Sequence, residues 1–145
     1  MMERDEYFMR IALSEAEVAY REGEIPVGAV IVINDEIIAK DHNRVEQLRD
    51  PTAHAEMLCL TAATTHLRNK YLRQATLYVT LEPCPMCAGA LQWAQIREIV
   101  YAASDPKLGF SQYTPAILHP KTTHRQGPFC DEALTLIKRF FHERR

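Results

Sequence analysis

With 145 residues, 47% hydrophobic and 25% charged, the chain is long enough for one domain with a real core and too short for two comfortable ones. No stretch approaches the ~20 apolar residues that span a bilayer, and the charged start Met1-Met2-Glu3-Arg4-Asp5-Glu6 is no secretory signal, so no membrane association and a cytoplasmic location are expected. The net charge of −2 argues against bulk attraction to nucleic acid, but residues 121–145 carry six basic and three acidic side chains, a basic end on an acidic body that can still make a local phosphate-binding surface.

In chain order, Phe8, Ile11, Ala12, Ala16, Val18 and Ala19 recur near a 3.6 spacing and predict a first helix that Gly23 stops. The apolar, β-branched run from Pro26 to Ile33, the turn signal Asn34-Asp35 and the return Glu36–Lys40 predict a hairpin. Residues 41–50 read as loop. A helix is predicted over about 53–66, capped by Asp50 or Thr52 with Pro51 near its first turn. Ala75–Leu81 predicts a strand, Pro83 to about Gln95 a helix, and Arg97–Ala102 another strand. Residues 103–128, with four prolines and two glycines, read mostly as loop with room for short elements, and Phe129 to about Glu143 as a final helix. Strands alternating with helices imply a three-layer α/β domain with some parallel pairing.

The chemistry concentrates in two short stretches. His54-Ala55-Glu56 reads H-x-E, and Pro83-Cys84-Pro85-Met86-Cys87 reads P-C-x-x-C. One imidazole and two thiolates give zinc three protein ligands, whereas a structural site normally takes four and a catalytic site keeps a position for water. Both stretches lie at predicted helix starts, where the partial positive charge favours thiolate, and cysteines three apart share one face of a turn. Four cysteines in a cytoplasmic protein fit metal binding or catalysis better than disulfides. Cys59 is the nearest candidate for a fourth ligand, but five residues after His54 a helix turns it about 140° away. Cys59 and Cys130 read as small buried hydrophobes, and His42, His66, His119, His124 and His142 as surface or hydrogen-bonded residues. Glu56, two residues from a ligand, is placed to move protons at a zinc-bound water. That combination suits hydrolytic replacement of an amino group on an electron-poor ring carbon, with partial burial raising the carboxyl pKa. The rival is redox: strand–C-x-x-C–helix also displays thioredoxin-like cysteines, although that chemistry has no need of His54-Ala55-Glu56.

These motifs resemble the zinc nucleobase deaminases, and among them the bacterial tRNA-specific adenosine deaminases. The resemblance runs over nearly the whole chain: residues 23–30 (Gly-Glu-Ile-Pro-Val-Gly-Ala-Val), His42-Asn43, residues 51–56 (Pro-Thr-Ala-His-Ala-Glu), residues 76–90 and the closing residues 139–145. It implies a three-layer α/β/α cytidine-deaminase-like fold with a mixed central sheet of about five strands, and a single CMP/dCMP-type deaminase domain over 1–145. It implies one Zn2+ per subunit on His54, Cys84 and Cys87, with Glu56 as proton shuttle. It also implies a homodimer acting on a tRNA anticodon stem-loop, converting the wobble adenosine to inosine with release of ammonia. Asn43 would hydrogen-bond the target base, with Val27, Ala55 and Pro83 around it. Asp105 and Lys107 would approach the nucleotide backbone, and Phe140, Phe141, Arg144 and Arg145 would contact RNA by stacking and phosphate pairing. From the residues alone, Asn43 reads as a turn residue, and Phe140 and Phe141 read equally well as core.

Residues 108–118 depart from the small Gly-Ser pattern of such enzymes, and no basic tail follows Arg145; both differences bear on substrate size rather than chemistry. The motif Pro-Cys-Pro-Met-Cys with Trp93-Ala94 also resembles guanine deaminases, which makes a free base or nucleoside the alternative substrate. A non-catalytic zinc-stabilised RNA-binding module is the second alternative.

Overall fold

The computed structural model describes residues 2–144. Helix α1 (Met2–Arg21) turns Phe8, Met9, Ala12, Leu13, Ala16 and Ala19 to one buried side. It ends as expected at Gly23, whose φ of 79° closes a Schellman turn: the Gly23 N–H donates to Tyr20 and the Glu24 N–H to Ala19. Strands β1 (Gly28–Ile33) and β2 (Glu36–His42) form the expected hairpin. Asn34 and Asp35 both have positive φ, at 50° and 61°, the left-handed pair that matches strand twist.

The five strands lie in the order β2-β1-β3-β4-β5, with β3 (Thr76–Leu81), β4 (Glu98–Ala103) and β5 (Thr123–Gln126) completing the sheet. β1 runs antiparallel to both β2 and β3, whereas β3, β4 and β5 are mutually parallel. Helices α3 (Ala55–Leu67) and α4 (Pro85–Ala94) cover one face, and α1 and α6 (Cys130–Glu143) the other. Alternation divides the apolar strands between two cores. Ala29, Ile31, Leu77, Val79 and Ile99 face α3 and α4, and Val30, Val32, Tyr78, Val100 and Ala102 face the α1 side. α1 lies so close to β1 that a Cβ on Gly28 would stand 2.0 Å from the Ala12 carbonyl oxygen.

Two local expectations are corrected. Residues 41–50 are not all loop: β2 continues to His42, and a short helix, α2 (Val45–Leu48), follows. The buried Glu24 side chain caps α2, its two oxygens accepting the N–H groups of Glu46 (3.0 Å) and Gln47 (2.8 Å). Neither Asp50 nor Thr52 caps α3, because Asp50 Oδ1 accepts both the Thr52 N–H (2.8 Å) and its hydroxyl (2.7 Å) in a turn that contains Pro51. The stretch 103–128 is mostly loop, as expected, and its short elements are the helix α5 (Phe110–Tyr113) and the edge strand β5.

β5 is polar and largely exposed, and an ion-pair network holds it. Arg125 forks onto Asp5 of α1 (2.6 and 3.1 Å) and reaches Glu98 of β4 (3.2 Å), while the Tyr78 hydroxyl donates to Asp5 (2.8 Å). Burial pushes the Asp5 carboxyl up, but the hydrogen bonds from Arg125 and Tyr78 outweigh it and leave the pKa below the ordinary 3.8. A depressed folded-state pKa contributes stability that is complete above the unfolded value and is lost as pH falls through the folded one. Asp5→Asn is therefore expected to cost about 1–2 kcal/mol at neutral pH, read from urea midpoints, with the difference from wild type shrinking below the ordinary carboxylate range.

Candidate active site

Two helix starts build the site. His54 is the N-cap residue of α3, with extended backbone (φ −76°, ψ 154°) and no side-chain cap of its own. Its imidazole is thus left free to point into the fold. The first helical N–H, that of Ala55, is instead accepted by Asn43 Oδ1 at 2.7 Å, a link from the loop after β2. Asn43 is tied further by its Nδ2, which donates to Ile25 (3.1 Å), and its own N–H, which donates to Val27 (3.1 Å). Cys84 is the N-cap residue of α4, Pro85 occupies the first helical position, and Cys87 follows in the same turn. Pro83 precedes the cap rather than opening the helix, and its carbonyl accepts the Phe110 N–H at 2.9 Å.

His54 Nδ1 lies 3.7 Å from Cys84 Sγ and 3.4 Å from Cys87 Sγ. Tetrahedral ligation with bonds of about 2.3 Å to sulfur and about 2.0–2.1 Å to nitrogen separates the two donor types by about 3.6 Å. The three donors therefore fit a zinc ion. Among the described residues, this cluster of metal-ligating side chains has three members, and Glu56 is not one of them. Cys59 faces away, its thiol donating to the Ala29 carbonyl (3.4 Å) inside the core.

The electrostatics suit the same use. Hydrogen bonding from Cys87, together with His54, brings the Cys84 thiol down to about 4, and that bond with burial pushes Cys87 up, so the pair shares a proton beside the imidazole. Both sulfurs would face a metal as thiolates, stabilised by the α4 N-terminus. The partnership with Cys84 raises the His54 pKa. Glu56, only 4% exposed, has its carboxyl raised to about 7, first by burial.

These groups open on a cavity of about 630 Å³, ample for a nucleoside. His54, Cys84, Glu56 and Asn43 line its polar end, and Ile25, Val27, Leu81, Leu134, Ile137 and Phe141 form apolar walls. Asp105, Lys107 and Lys138 belong to the same cavity.

Of the residues expected around a substrate, the cavity thus gathers Asn43, Val27, Asp105, Lys107 and Phe141. Ala55 and Pro83 are buried outside its lining. Phe140 is a correction: it is 5% exposed and packs edge-to-face on Phe141 (5.2 Å between centroids), so its ring is not free to stack on a base. The two phenylalanines are adjacent on a helix, and only Phe141 turns outward. Arg144 is exposed, with its guanidinium 3.9 Å over the Phe140 ring, and Arg145 lies outside the described residues. Among the histidines, His42 is of the hydrogen-bonded kind: buried at the end of β2, it pairs with Glu15 (2.9 Å) and Glu22 (2.8 Å). Glu82, Ser104, Leu134, Ile137 and Lys138 also line the cavity, and no sequence motif marks them for it. Only Glu82 has a local signal, its position beside Pro83-Cys84.

Residues 2–103 match the family model of the cytidine and deoxycytidylate deaminase zinc-binding region. The chain belongs to the zinc-dependent nucleobase deaminase family. This deaminase is 45% identical to a tRNA-specific adenosine deaminase from Aquifex aeolicus, over 97% of its own length and 95% of the relative's. A structure from a study of A-to-I editing by tRNA:A34 deaminases at the wobble position superposes with a TM-score of 0.84 at 39% identity, covering 90% of this deaminase and 98% of that chain. Guanine deaminase from Bacillus subtilis superposes with a TM-score of 0.65 at 37% identity, over 79% and 70% of the two chains. The expected three-layer fold with its five-stranded mixed sheet is the one observed.

Proposed function

We propose that this deaminase hydrolyses the wobble adenosine of a tRNA anticodon loop to inosine and ammonia. The supporting observation is a three-donor metal site beside a buried, non-ligating carboxylate, in a chain 45% identical over nearly its full length to a tRNA-specific adenosine deaminase. His54, Cys84 and Cys87 hold the zinc. When bound, zinc supplies a water whose pKa falls from about 15.7 towards ~7.

The rest is done by side chains. A carboxyl group with a pKa near 7 both accepts and releases protons at neutral pH. Glu56 takes a proton from the attacking water and delivers it to the ring nitrogen beside the amino-bearing carbon as the water oxygen bonds to that carbon; it then takes the proton of the new hydroxyl and passes it to the amino group, which leaves as ammonia as the C–N bond breaks and the carbonyl forms. Asn43 retains one amide hydrogen and one carbonyl lone pair beyond its internal bonds, enough to orient a purine edge. Val27 and Leu81 supply apolar surface for the flat ring and exclude water from it. A base in a single-stranded loop can leave its stack and enter such a cavity. Lys107 and Lys138 offer charge for phosphates, and the half-exposed Phe141 offers a stacking face.

Residues 1–145 act as one domain in this reading: β5 and α6, beyond the family match, join the same sheet and the same cavity. The working form is a cytoplasmic homodimer. On α4, Met86 and Trp93 lie on one stripe, and Trp93 is 80% exposed, a large apolar surface for a partner to cover. Sedimentation equilibrium is expected to give a dimer for the wild type and mostly monomer for Trp93→Glu.

Guanine deamination is the competing reading, favoured by the likeness to the Bacillus subtilis enzyme. A panel of guanine, adenine, adenosine and an anticodon stem-loop, followed by ammonia release and inosine content, separates the two. Inosine in the stem-loop is the expected result; turnover of guanine with an unmodified stem-loop refutes the proposal.

A further inference from the structure

Glu82 directly follows β3 beside the metal site, is 4% exposed, and is neither a metal ligand nor a proton carrier in the chemistry above. Its carboxylate spans the turn that follows β4. Oε1 accepts the Asp105 N–H at 3.1 Å, and Oε2 accepts the Ser111 N–H at 3.0 Å and the Ser111 hydroxyl at 2.6 Å. One buried carboxylate therefore holds both ends of the segment 105–111, with donors at every contact. The segment carries Asp105, Pro106, Lys107 and Leu108, all of which line the cavity.

Gly109 supplies an independent observation. A Cβ there would stand 2.4 Å from Glu82 Cδ, 2.5 Å from Oε2 and 2.6 Å from the Asp105 carbonyl oxygen. The turn is drawn down onto the carboxylate until no side chain fits between them. Within it, Asp105 Oδ1 accepts the N–H groups of Lys107 (3.1 Å) and Leu108 (3.0 Å), so an anchor at Asp105 fixes Lys107 as well.

We propose that Glu82 is a positioning residue for the nucleic acid around the target base: it clamps the 105–111 turn and so sets where Asp105 and Lys107 meet the substrate. This rests on the tRNA reading above. The clamp acts on binding and leaves the hydrolytic step to Glu56.

The test uses the zinc-loaded full-length protein. Glu82→Gln keeps the shape but turns an N–H donor toward one of the two backbone N–H groups. It is expected to raise KM for an anticodon stem-loop about tenfold while kcat and zinc content stay within about twofold. Gly109→Ala, which displaces the same carboxylate from the other side, is expected to shift KM likewise. Lys107→Ala is expected to raise KM in the wild type and to add little in the Glu82→Gln background, because contacts that act through one anchor are not additive. Hydrogen exchange at Asp105 and Ser111 is expected to quicken in Glu82→Gln while α3 is unaffected. Additive KM effects, a kcat loss at unchanged KM, or unchanged exchange at both amides each overturn the clamp. If the wild type leaves the stem-loop untouched, the substrate reading fails and the exchange measurement still decides the clamp.

Discussion

Glu56→Gln is expected to lower inosine formation in an anticodon stem-loop by about 10²–10⁴-fold, the range that a positioned proton carrier supplies. Zinc content is expected to stay at the wild-type level, because Glu56 is not among the three clustered donors. The substitution is nearly isosteric in a buried position, so packing changes little. What is lost is a carboxyl group whose pKa, raised by burial to about 7, lets it take and return a proton near neutral pH. The amide of glutamine does neither. A non-catalytic RNA-binding module makes the opposite prediction, since its binding would be indifferent to this change. Ammonia release and elemental analysis on the same preparation read both quantities.

The second large effect concerns the ligands. Cys84→Ala or Cys87→Ala is expected to abolish turnover and to weaken zinc affinity by more than the about 10–100-fold that loss of a mere outer-shell partner costs. Either change leaves two donors of three and frees the His54 imidazole from one of its sulfur neighbours at 3.4 and 3.7 Å. Removal of zinc by a chelator is expected to act likewise on activity, and re-addition to restore activity and raise the melting temperature, since a ligand that binds only the folded chain stabilises it. Cys59→Ala is the matched control: its thiol points at Ala29 in the core, so zinc content should not change. Equal zinc loss in the Cys59 and Cys84 variants would mean that the site has been wrongly drawn.

Most of the architecture is legible in the sequence, because apolar periodicity and turn residues mark it locally. The stripe of α1, the Asn34-Asp35 turn and the apolar runs of β1, β3 and β4 each carry their own signal. What escapes is held from far away. α2 has four residues and takes its cap from Glu24, more than twenty positions earlier. β5 shows no apolar alternation; it is held by the edge of β4 and by Arg125 on Asp5. The start of α3 is misplaced because Asp50 satisfies Thr52, leaving His54 as the cap residue and Asn43 to accept the first helical N–H. Site chemistry follows the same division. His54, Glu56, Cys84 and Cys87 sit in compact motifs, whereas Glu82 acquires its partners only when residues 105–111 fold back over it. Phe140 and Phe141 differ by one position, and only the packing of α6 decides which of them is buried.

Zinc K-edge X-ray absorption on the purified full-length protein reaches the core of the account, an ion held by three side chains with one position open. The prediction is one zinc per chain, with two sulfurs at about 2.3 Å and two lighter nitrogen or oxygen neighbours at about 2.0–2.1 Å, one of them displaced when an oxygen-donor inhibitor is added. Three or more sulfurs, a closed shell of four protein donors that no small ligand disturbs, or the absence of zinc from active protein would contradict it.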